Sequence, residues 1–171
     1  MVIRTRRSDD IEALCDLARV VHETDGYPVR LQDDVRSFVV TENCLAAWVC
    51  EQHGRIVGHI ALHTVWSDVV AELAASSLGR TRNDLASVSR FFVDSAARSR
   101  GVGGRLFAVA TAEAYERGLW PVLDVVTTYA PAVALYERRG WTSLGTIAEV
   151  MPNGRRIDEY VYAAPSPQGT G

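Results

Sequence analysis

The stretch ARSRGVGGRL, residues 97–106, places three glycines within four positions, between arginines and directly before a helix-like run. An ordered glycine costs conformational entropy, so a cluster of them calls for a physical reason. A strand that ends in a glycine-rich turn and then opens a helix directs several backbone N–H groups, and the positive end of the helix dipole, at one point. Gly101, Gly103 and Gly104 leave that point free of Cβ atoms, and Arg98 and Arg100 add positive charge. The pattern predicts a phosphate-binding turn; the alternative is a turn that only connects a strand to a helix.

The spacing excludes two familiar phosphate loops. A dinucleotide-binding pattern G-x-G-x-x-G that starts at Gly101 would need a glycine where Leu106 stands. A P-loop ends in Gly-Lys-Ser/Thr, and this sequence contains no lysine.

The elements that must position this turn can be assigned from hydrophobic patterning. A short strand precedes a helix that starts with Ser8 as N-cap and runs to about His22, and a weaker helix follows around Gln32–Val39. The remaining predicted elements are a hairpin turning at His53 and Gly54, an unexplained insertion over 66–86 with a short helix and then a loop, a strand over 86–94, a helix over 103–118, a buried strand over 120–128, a helix over 130–139 and a closing hairpin over 141–163.

This order predicts one α+β domain over residues 1–163, with a disordered tail over 164–171. The strand, glycine turn, helix and strand in the middle imply two parallel strands joined by a right-handed crossover. The predicted fold is therefore a mixed, mostly antiparallel central sheet with one parallel strand pair, flanked by helices.

Two segments of the sequence resemble the GCN5-related N-acetyltransferase (GNAT) family. Residues 98–103, RSRGVG, match its pattern Q/R-x-x-G-x-G/A within FFVDSAARSRGVGGRLF. Further on, AVALYERRGW, residues 132–141, is similar to the family's second signature, a helix with a Leu-Tyr pair that ends in Gly-aromatic. The blocks stand in the family's order, and the element order over 2–163 agrees with it as well.

The resemblance implies acetyl-CoA as cosubstrate, with no metal. The turn Arg98, Ser99, Arg100, Gly101, Val102, Gly103 and Gly104 would hold the pyrophosphate, and Phe92 and Val93 would pair with the pantetheine amides. By the same resemblance the Val93 N–H polarises the acetyl carbonyl, and a fixed donor aimed at a developing oxyanion stabilises the transition state. Tyr136 matches the tyrosine that protonates the departing thiolate; a phenol of reference pKa about 10 is protonated at neutral pH. Tyr129 stands where the family often has asparagine, which alters one contact to the pantetheine arm or the substrate.

Two acids, two histidines and the tryptophans are further candidates for a role in the chemistry. Asp94 and Glu72 are candidates for the base that deprotonates the amine, although a turn cap and a solvated helix charge are the favoured interpretations. His59 and His63 would lie about 13 Å apart on a strand, too far to share a metal, so ordinary strand histidines are expected. Trp48, Trp66, Trp120 and Trp141 are mostly core candidates. Trp66 is the best placed of them to touch a substrate, although a core position is favoured for it as well.

Composition narrows the class of protein. The net charge of −3 disfavours a nucleic-acid partner, and no apolar stretch is long enough to span a membrane. Cys15, Cys44 and Cys50 are odd in number and form no C-x-x-C pair, which predicts free thiols and a cytoplasmic protein. None of the three lies near a recognisable base in the sequence, so a covalent acetyl-enzyme is not expected.

We therefore expect an acetyl-CoA-dependent N-acetyltransferase, a transferase that moves an acetyl group to a primary amine by direct attack in a ternary complex. The acceptor, a small molecule or a peptide, stays open, and the resemblance is compatible with a homodimer. Two rival hypotheses are a non-catalytic acyl-CoA-binding sensor and a nucleotide-binding module.

Overall fold

The computed structural model describes residues 1–29, 31, 34–98, 100–151 and 153–167. The strands are β1 (Val2–Thr5), β2 (Cys44–Gln52), β3 (Arg55–Thr64), β4 (Leu85–Val93), β5 (Trp120–Val126), β6 (Thr142–Val150) and β7 (Arg156–Ala163). The helices are α1 (Ile11–Asp25), α2 (Val35–Val39), α3 (Asp68–Leu78), α4 (Val102–Glu116) and α5 (Ala130–Arg138).

The seven strands form one sheet in the order β1-β2-β3-β4-β5-β7-β6. Strands β4 and β5 pair in parallel, from Leu85 opposite Trp120 to Ser87 opposite Val122. The pairs β1–β2, β2–β3, β5–β7 and β6–β7 are antiparallel. The predicted α+β fold, with a mostly antiparallel sheet and one parallel pair, is confirmed.

The chain divides into two compact units, one made of Met1–His63 with Val88–Ala112 and the other of Thr64–Ser87 with the residues from Glu113 onward. In the first unit, the buried stripe of α1 packs against α2 and the sheet; its core includes Leu14, Val21, Phe38, Val49 and Phe92. The β2–β3 hairpin turns at His53 and Gly54 as predicted, both with positive φ (49° and 73°).

The start of α1 differs from the prediction. Ser8 does not cap the helix; residues Ser8–Asp10 form a 3-10 turn, and α1 follows directly from Asp10. Ser8 lies inside this turn rather than before it, and the Asp10 carboxylate accepts the backbone N–H of Arg7, the residue before the turn, at 2.6 Å. The predicted beginning of the second helix, at Gln32, falls outside the described residues.

In the second unit, α3 packs on one face of the β5-β7-β6 sheet. The core beneath it contains Val70, Ala74, Val122, Val161 and Ala163, with Leu73 and Ile147 packed against it. The insertion over 66–86 is thus a helix with an apolar face, followed by a 3-10 turn at Arg82–Asp84 and the start of β4.

The predicted tail begins with ordered contacts. The Trp120 indole N–H donates to the Ala164 carbonyl at 3.1 Å, and the Tyr115 hydroxyl donates to the Pro165 carbonyl. Residues 168–171 of the predicted tail lie outside the described residues. Within the part of the chain that the structure covers, no helix combines the length and the apolar character that crossing a bilayer requires.

Candidate functional site

The glycine turn leads from β4 into α4. After β4 ends at Val93, a short 3-10 turn at Ser95–Ala97 is followed by Gly101, whose φ of +78° lies in the left-handed region. The Gly101 carbonyl accepts the Arg105 N–H at 3.1 Å, so α4 begins immediately after Gly101. The N–H groups of Val102, Gly103 and Gly104 lie in the first turn, where a helix has no internal acceptors for them. This end of α4 is therefore able to bind an anion.

Gly103 has a packing reason as well as the expected functional one. A Cβ atom there would lie 3.1 Å from the ring of Phe91, tighter than ordinary van der Waals contact. Phe91 in turn contacts Phe107 of the same helix, with ring centroids 5.9 Å apart. The bare backbone at Gly103 thus lets α4 approach β4 closely.

The two arginines of the turn differ in their surroundings. Arg98 forms an ion pair with Asp25, at the end of α1, and donates to the Val93 carbonyl from Nε (3.2 Å) and from Nη2 (3.0 Å). Arg100 is exposed. Arg98 thus ties the turn to the end of β4, whereas Arg100 is the more available cation for a ligand. Ser99 lies outside the described residues.

The end of β4 carries three residues singled out from the sequence. Phe92 and Val93 are buried, and Phe92 packs between the rings of Phe38 and His59. The Asp94 carboxylate accepts the Ala96 N–H at 2.9 Å, so Asp94 caps the 3-10 turn, as the favoured interpretation held.

Tyr136 lies on α5, in the second unit, and is 6% exposed. Its ring packs 6.3 Å from that of Trp141 and 6.0 Å from that of Tyr162. Gly140, with φ +75°, follows the end of α5, as predicted. Tyr129 immediately precedes the helix and is half-buried.

The two histidines of β3 are core residues. His59 accepts from the Arg6 guanidinium at Nε2 (3.3 Å), so its Nδ1 carries the proton donated to the Arg90 carbonyl (2.8 Å). Burial lowers the pKa of His59 to about 3 and that of His63 to about 4, so both are neutral at pH 7. The Nδ1 of His63 bonds Ser89 Oγ at 2.7 Å. This confirms the expectation of ordinary strand histidines. The hydrogen bond from His59 to the Arg90 carbonyl also helps to hold Arg90, a non-glycine residue, at its φ of +52°.

The second unit contains a pocket that the sequence did not reveal. It has a volume of about 100 Å³, and its lining residues are Trp66, Ser67, Val69, Val70, Asp124, Ile147, Ala148, Glu149 and Glu159. Burial, together with the negative charges of Asp124 and Glu149, raises the pKa of Glu159 to about 7. The pocket is therefore acidic on the sheet side and apolar on the α3 side.

The position of Trp66 differs from the core position that the sequence favoured. Trp48 and Trp141 are buried as expected, but Trp66 is 60% exposed. The Arg82 guanidinium holds the backbone beside it, because it donates to the carbonyls of Val65 and Trp66 at 2.9 Å each and pairs with Asp68. Glu72, the other proposed base, is exposed on α3 and is not among the residues that line the acidic pocket.

The thiols offer no activated nucleophile. Cys15 and Cys50 are buried, burial raises the pKa of both, and all three cysteines are free. Among the described residues, no group of three His, Cys, Asp or Glu side chains is placed to hold a metal ion.

A family model described as the acetyltransferase (GNAT) family matches residues 11–141. No curated protein matches the chain significantly.

Many solved structures share the fold. A ribosomal-protein-alanine N-acetyltransferase from Brucella melitensis is 22% identical with a TM-score of 0.72, over 95% of this chain and 98% of that one. A putative phosphinothricin N-acetyltransferase is 21% identical, with a TM-score of 0.66 over 98% and 99% of the two chains. NAA60 from Arabidopsis thaliana, in complex with acetyl-CoA, is 18% identical, with a TM-score of 0.71 over 95% and 96%. At these identities the likeness establishes the fold, whereas the family match covers most of the chain. This family match, together with the glycine turn before α4, establishes that the chain belongs to the GNAT family of acetyltransferases.

Proposed function

We propose that this protein is an acetyl-CoA-dependent N-acetyltransferase that moves the acetyl group to a primary amine by direct attack. The observation that carries the proposal is the start of α4, where a left-handed Gly101 is followed by a first helical turn with two further glycines. That geometry suits a pyrophosphate, and the segment lies within the region matched to the acetyltransferase family.

In this proposal the pyrophosphate receives hydrogen bonds from the N–H groups of Val102, Gly103 and Gly104, and Arg100 adds a positive charge. For Arg98 we propose a role other than the phosphate contact expected from the sequence, because its guanidinium already contacts Asp25 and the Val93 carbonyl. We assign it to holding the turn against the end of β4 rather than to binding phosphate directly. Ser99 keeps its proposed place in the turn from the family pattern alone.

Phe92 and Val93 would present the backbone of β4 to the pantetheine arm. The Val93 N–H would donate to the acetyl carbonyl oxygen, which gains negative charge as the amine attacks. The Arg98 guanidinium bonds the Val93 carbonyl, which belongs to the next peptide group, and so helps to hold the end of β4 that carries this donor.

The chemical step joins the amine nitrogen to the acetyl carbon and breaks the carbon–sulfur bond. The amine loses one proton to solvent water, the thiolate of coenzyme A takes one from the Tyr136 hydroxyl, and the tyrosinate regains a proton from solvent. A direct transfer needs no acyl-cysteine, in keeping with the buried, raised-pKa thiols of Cys15 and Cys50. Free thiols also suit the reducing cytoplasm, where we place the enzyme.

Thermal unfolding in the presence of acetyl-CoA, ATP or NAD tests the cofactor assignment. A ligand at a hundred times its dissociation constant adds about 2.7 kcal/mol of stability, which raises the melting temperature measurably. We expect a shift with acetyl-CoA and none with ATP or NAD. Stabilisation by ATP or NAD alone would instead identify a nucleotide-binding module.

Replacing Tyr136 with phenylalanine separates an enzyme from a sensor. The variant should keep the thermal shift with acetyl-CoA but release free coenzyme A at least about tenfold more slowly, because the departing thiolate has lost its acid. Tyr115→Phe, the same chemical change at the far end of α4, is the matched control and should retain turnover. An unchanged rate in Tyr136→Phe would remove Tyr136 from the mechanism.

A further inference from the structure

We propose that Arg6, Arg90 and His63 bind the carboxylate of the acceptor, so that the amine to be acetylated belongs to an amino acid whose two groups are separated by a short chain. This inference rests on the proposed function and names the acceptor class for it. The supporting observations are a distortion in β4, two arginines without a carboxylate partner and a buried nitrogen without a hydrogen bond. All these residues lie in the first unit, which also contains Val93 and the glycine turn.

The distortion in β4 turns two consecutive side chains, Ser89 and Arg90, to the face of the sheet that α2 covers. Ser89 Oγ bonds Nδ1 of His63 at 2.7 Å, and Arg90 Nε donates to the Phe38 carbonyl of α2 at 2.9 Å. The ring of His59, which shares the face of His63, packs through one phenylalanine ring against Phe38. Side chains alternate along a regular strand, so this arrangement depends on the left-handed φ of +52° at Arg90. Strained positions of this kind concentrate at functional sites.

Arg6 and Arg90 bring two positive charges to this face, and their contacts there are to neutral groups. Arg6 Nη1 donates to the Val39 carbonyl at 2.6 Å and to His59 at 3.3 Å, and the Arg90 guanidinium lies 4.7 Å from the centre of the Phe38 ring. Among the residues that the structure describes, neither arginine forms an ion pair. Both side chains are only half-buried, and each keeps guanidinium nitrogens without a hydrogen bond within the same described ranges. An anion could therefore receive charge-assisted hydrogen bonds from both.

His63 has a buried nitrogen without a hydrogen bond. The side chain is 2% exposed, Nδ1 is bonded to Ser89, and Nε2 has no partner in the part of the chain that the structure covers. Burial and the nearby charges of Arg90 and Arg6 lower the pKa of His63 to about 4, so the ring is neutral at pH 7. When the Ser89 hydroxyl donates to Nδ1, the proton is on Nε2, which can then donate to an anion. A buried donor left unpaired is destabilising, so a ligand that accepts from it gains affinity.

A second unpaired atom lies close to the first in the fold. Thr41 Oγ1 is also buried and has no partner in the described ranges. The Thr41 carbonyl accepts the N–H of Cys44, and Cys44 lies opposite His63 in the β2–β3 pair. The segment that carries Thr41 directly follows the end of α2, whose last carbonyls accept from Arg6 and Arg90. The two unpaired atoms and the two guanidinium groups thus gather at one end of α2.

This cluster lies on the strand that would hold the acetyl group. Arg90 is three residues before Val93, which separates their Cα atoms by about 10 Å along β4. The glycine turn follows Val93, so the cluster and the proposed pyrophosphate site lie on opposite sides of it along the chain. A carboxylate held here and an amine at the acetyl carbon would belong to one molecule with a short chain between them. A diamine fits poorly, because its second ammonium would meet two like charges.

Acetylation kinetics with acceptors that differ only in charge tests the inference. β-Alanine, γ-aminobutyrate and ε-aminocaproate vary the distance between amine and carboxylate, and the primary amide of each removes the negative charge. We expect kcat/KM for at least one acid to exceed that for its amide by at least about tenfold, as a charge-assisted hydrogen bond supplies. Amides that are acetylated as well as their acids, or a failure of all three acids as acceptors, would overturn the proposal.

Arg90→Gln locates the effect. It should lower the ratio of kcat/KM for acid over amide about tenfold, whereas Arg90→Lys, which keeps the charge, should retain most of the preference. Arg6→Gln provides a second variant that leaves the backbone of β4 unchanged, and the same fall is expected. Arg36→Gln is the matched control, because Arg36 lies on α2 but is exposed and paired with Glu12. An equal fall in Arg36→Gln, or none in the variants of Arg90 and Arg6, would show that these arginines do not recognise the carboxylate.

Calorimetry without acetyl-CoA keeps the two proposals separate. γ-Aminobutyrate should bind the wild-type protein and Arg36→Gln equally, and Arg90→Gln about tenfold more weakly, whether or not the protein turns over. If acetyl-CoA neither stabilises the protein nor supports turnover, the proposed function fails while this binding still tests the cluster. Inorganic phosphate that binds as tightly, and is also weakened by Arg90→Gln, would identify a general anion site and overturn the amino-acid assignment.

Nitrogen NMR of the imidazole rings tests the part of His63. Saturation with γ-aminobutyrate should shift the Nε2 resonance of His63 and leave that of His53, which is exposed in the β2–β3 turn, unchanged. Because His63 is neutral at pH 7, such a shift would report a new hydrogen bond rather than a change of charge. An unchanged His63 resonance at saturation would overturn its place in the site.

Discussion

Replacing Glu159 with glutamine should stabilise the fold at alkaline pH and leave its stability unchanged at acid pH. In the unfolded chain this carboxyl has its ordinary pKa of 4.5, whereas in the folded protein burial and two neighbouring acids raise the pKa to about 7. Between these values the folded protein holds a proton that the unfolded chain has released. The free energy of unfolding therefore falls as pH rises from 4.5 towards 7. Above pH 7 the ionised Glu159 destabilises the folded protein by its full amount.

The magnitude follows from the size of this change in pKa. Taken in full it corresponds to about 3 kcal/mol. Glu159 is only half-buried, however, and water screens its repulsion from Asp124 and Glu149, so about 1 kcal/mol is expected. For a chain of this length that difference raises the melting temperature by about 3 °C.

Differential scanning calorimetry of Glu159→Gln and wild type at about pH 5 and about pH 8 measures this difference. The gain should appear at the higher pH and shrink at the lower one. Asp158→Asn should give no gain at either, because that acid is exposed and paired with Arg156. A gain that is the same at both pH values, or absent at pH 8, would refute the electrostatic reasoning.

Three glycines provide further predictions. Gly58→Ala should cost about 1–3 kcal/mol in urea unfolding, because its Cβ would lie 2.9 Å from Leu106 Cδ1 and 3.2 Å from Val102 Cγ1. Gly101→Ala and Gly54→Ala should each cost about 1 kcal/mol, since both positions have positive φ and open space around them. Only Gly101→Ala should also raise the dissociation constant of acetyl-CoA, measured by calorimetry. If Gly101→Ala and Gly54→Ala bind acetyl-CoA equally well, the glycine turn does not bind the cofactor.

Local patterns were sufficient to predict most of the elements. The hairpin at His53 and Gly54, the strand before the glycine turn and the helix that Gly140 follows all depend on residues close together in the sequence. The predicted N-cap Ser8 was wrong because residues Ser8–Asp10 form a 3-10 turn, so Arg7 and not Ser8 precedes the first helical residues.

The site was less predictable, because its partners come from distant positions. Arg98 was assigned to phosphate, but Asp25 lies 73 positions earlier and no local pattern points to it. The acidic pocket combines three strands whose register cannot be read from spacing alone. One signal was present: Asp124 interrupts the buried run WPVLDVV, and a charge within such a run calls for a special environment.

The contacts of Arg82 join the two ends of the segment that contains α3. Arg82 follows the helix, yet its guanidinium bonds the carbonyls of Val65 and Trp66 and the carboxylate of Asp68, which precede or begin it. The two ends of the segment are thus fastened to each other rather than only to the sheet. Residues on its pocket side, such as Val69, can change without disturbing that closure or the glycine turn before α4.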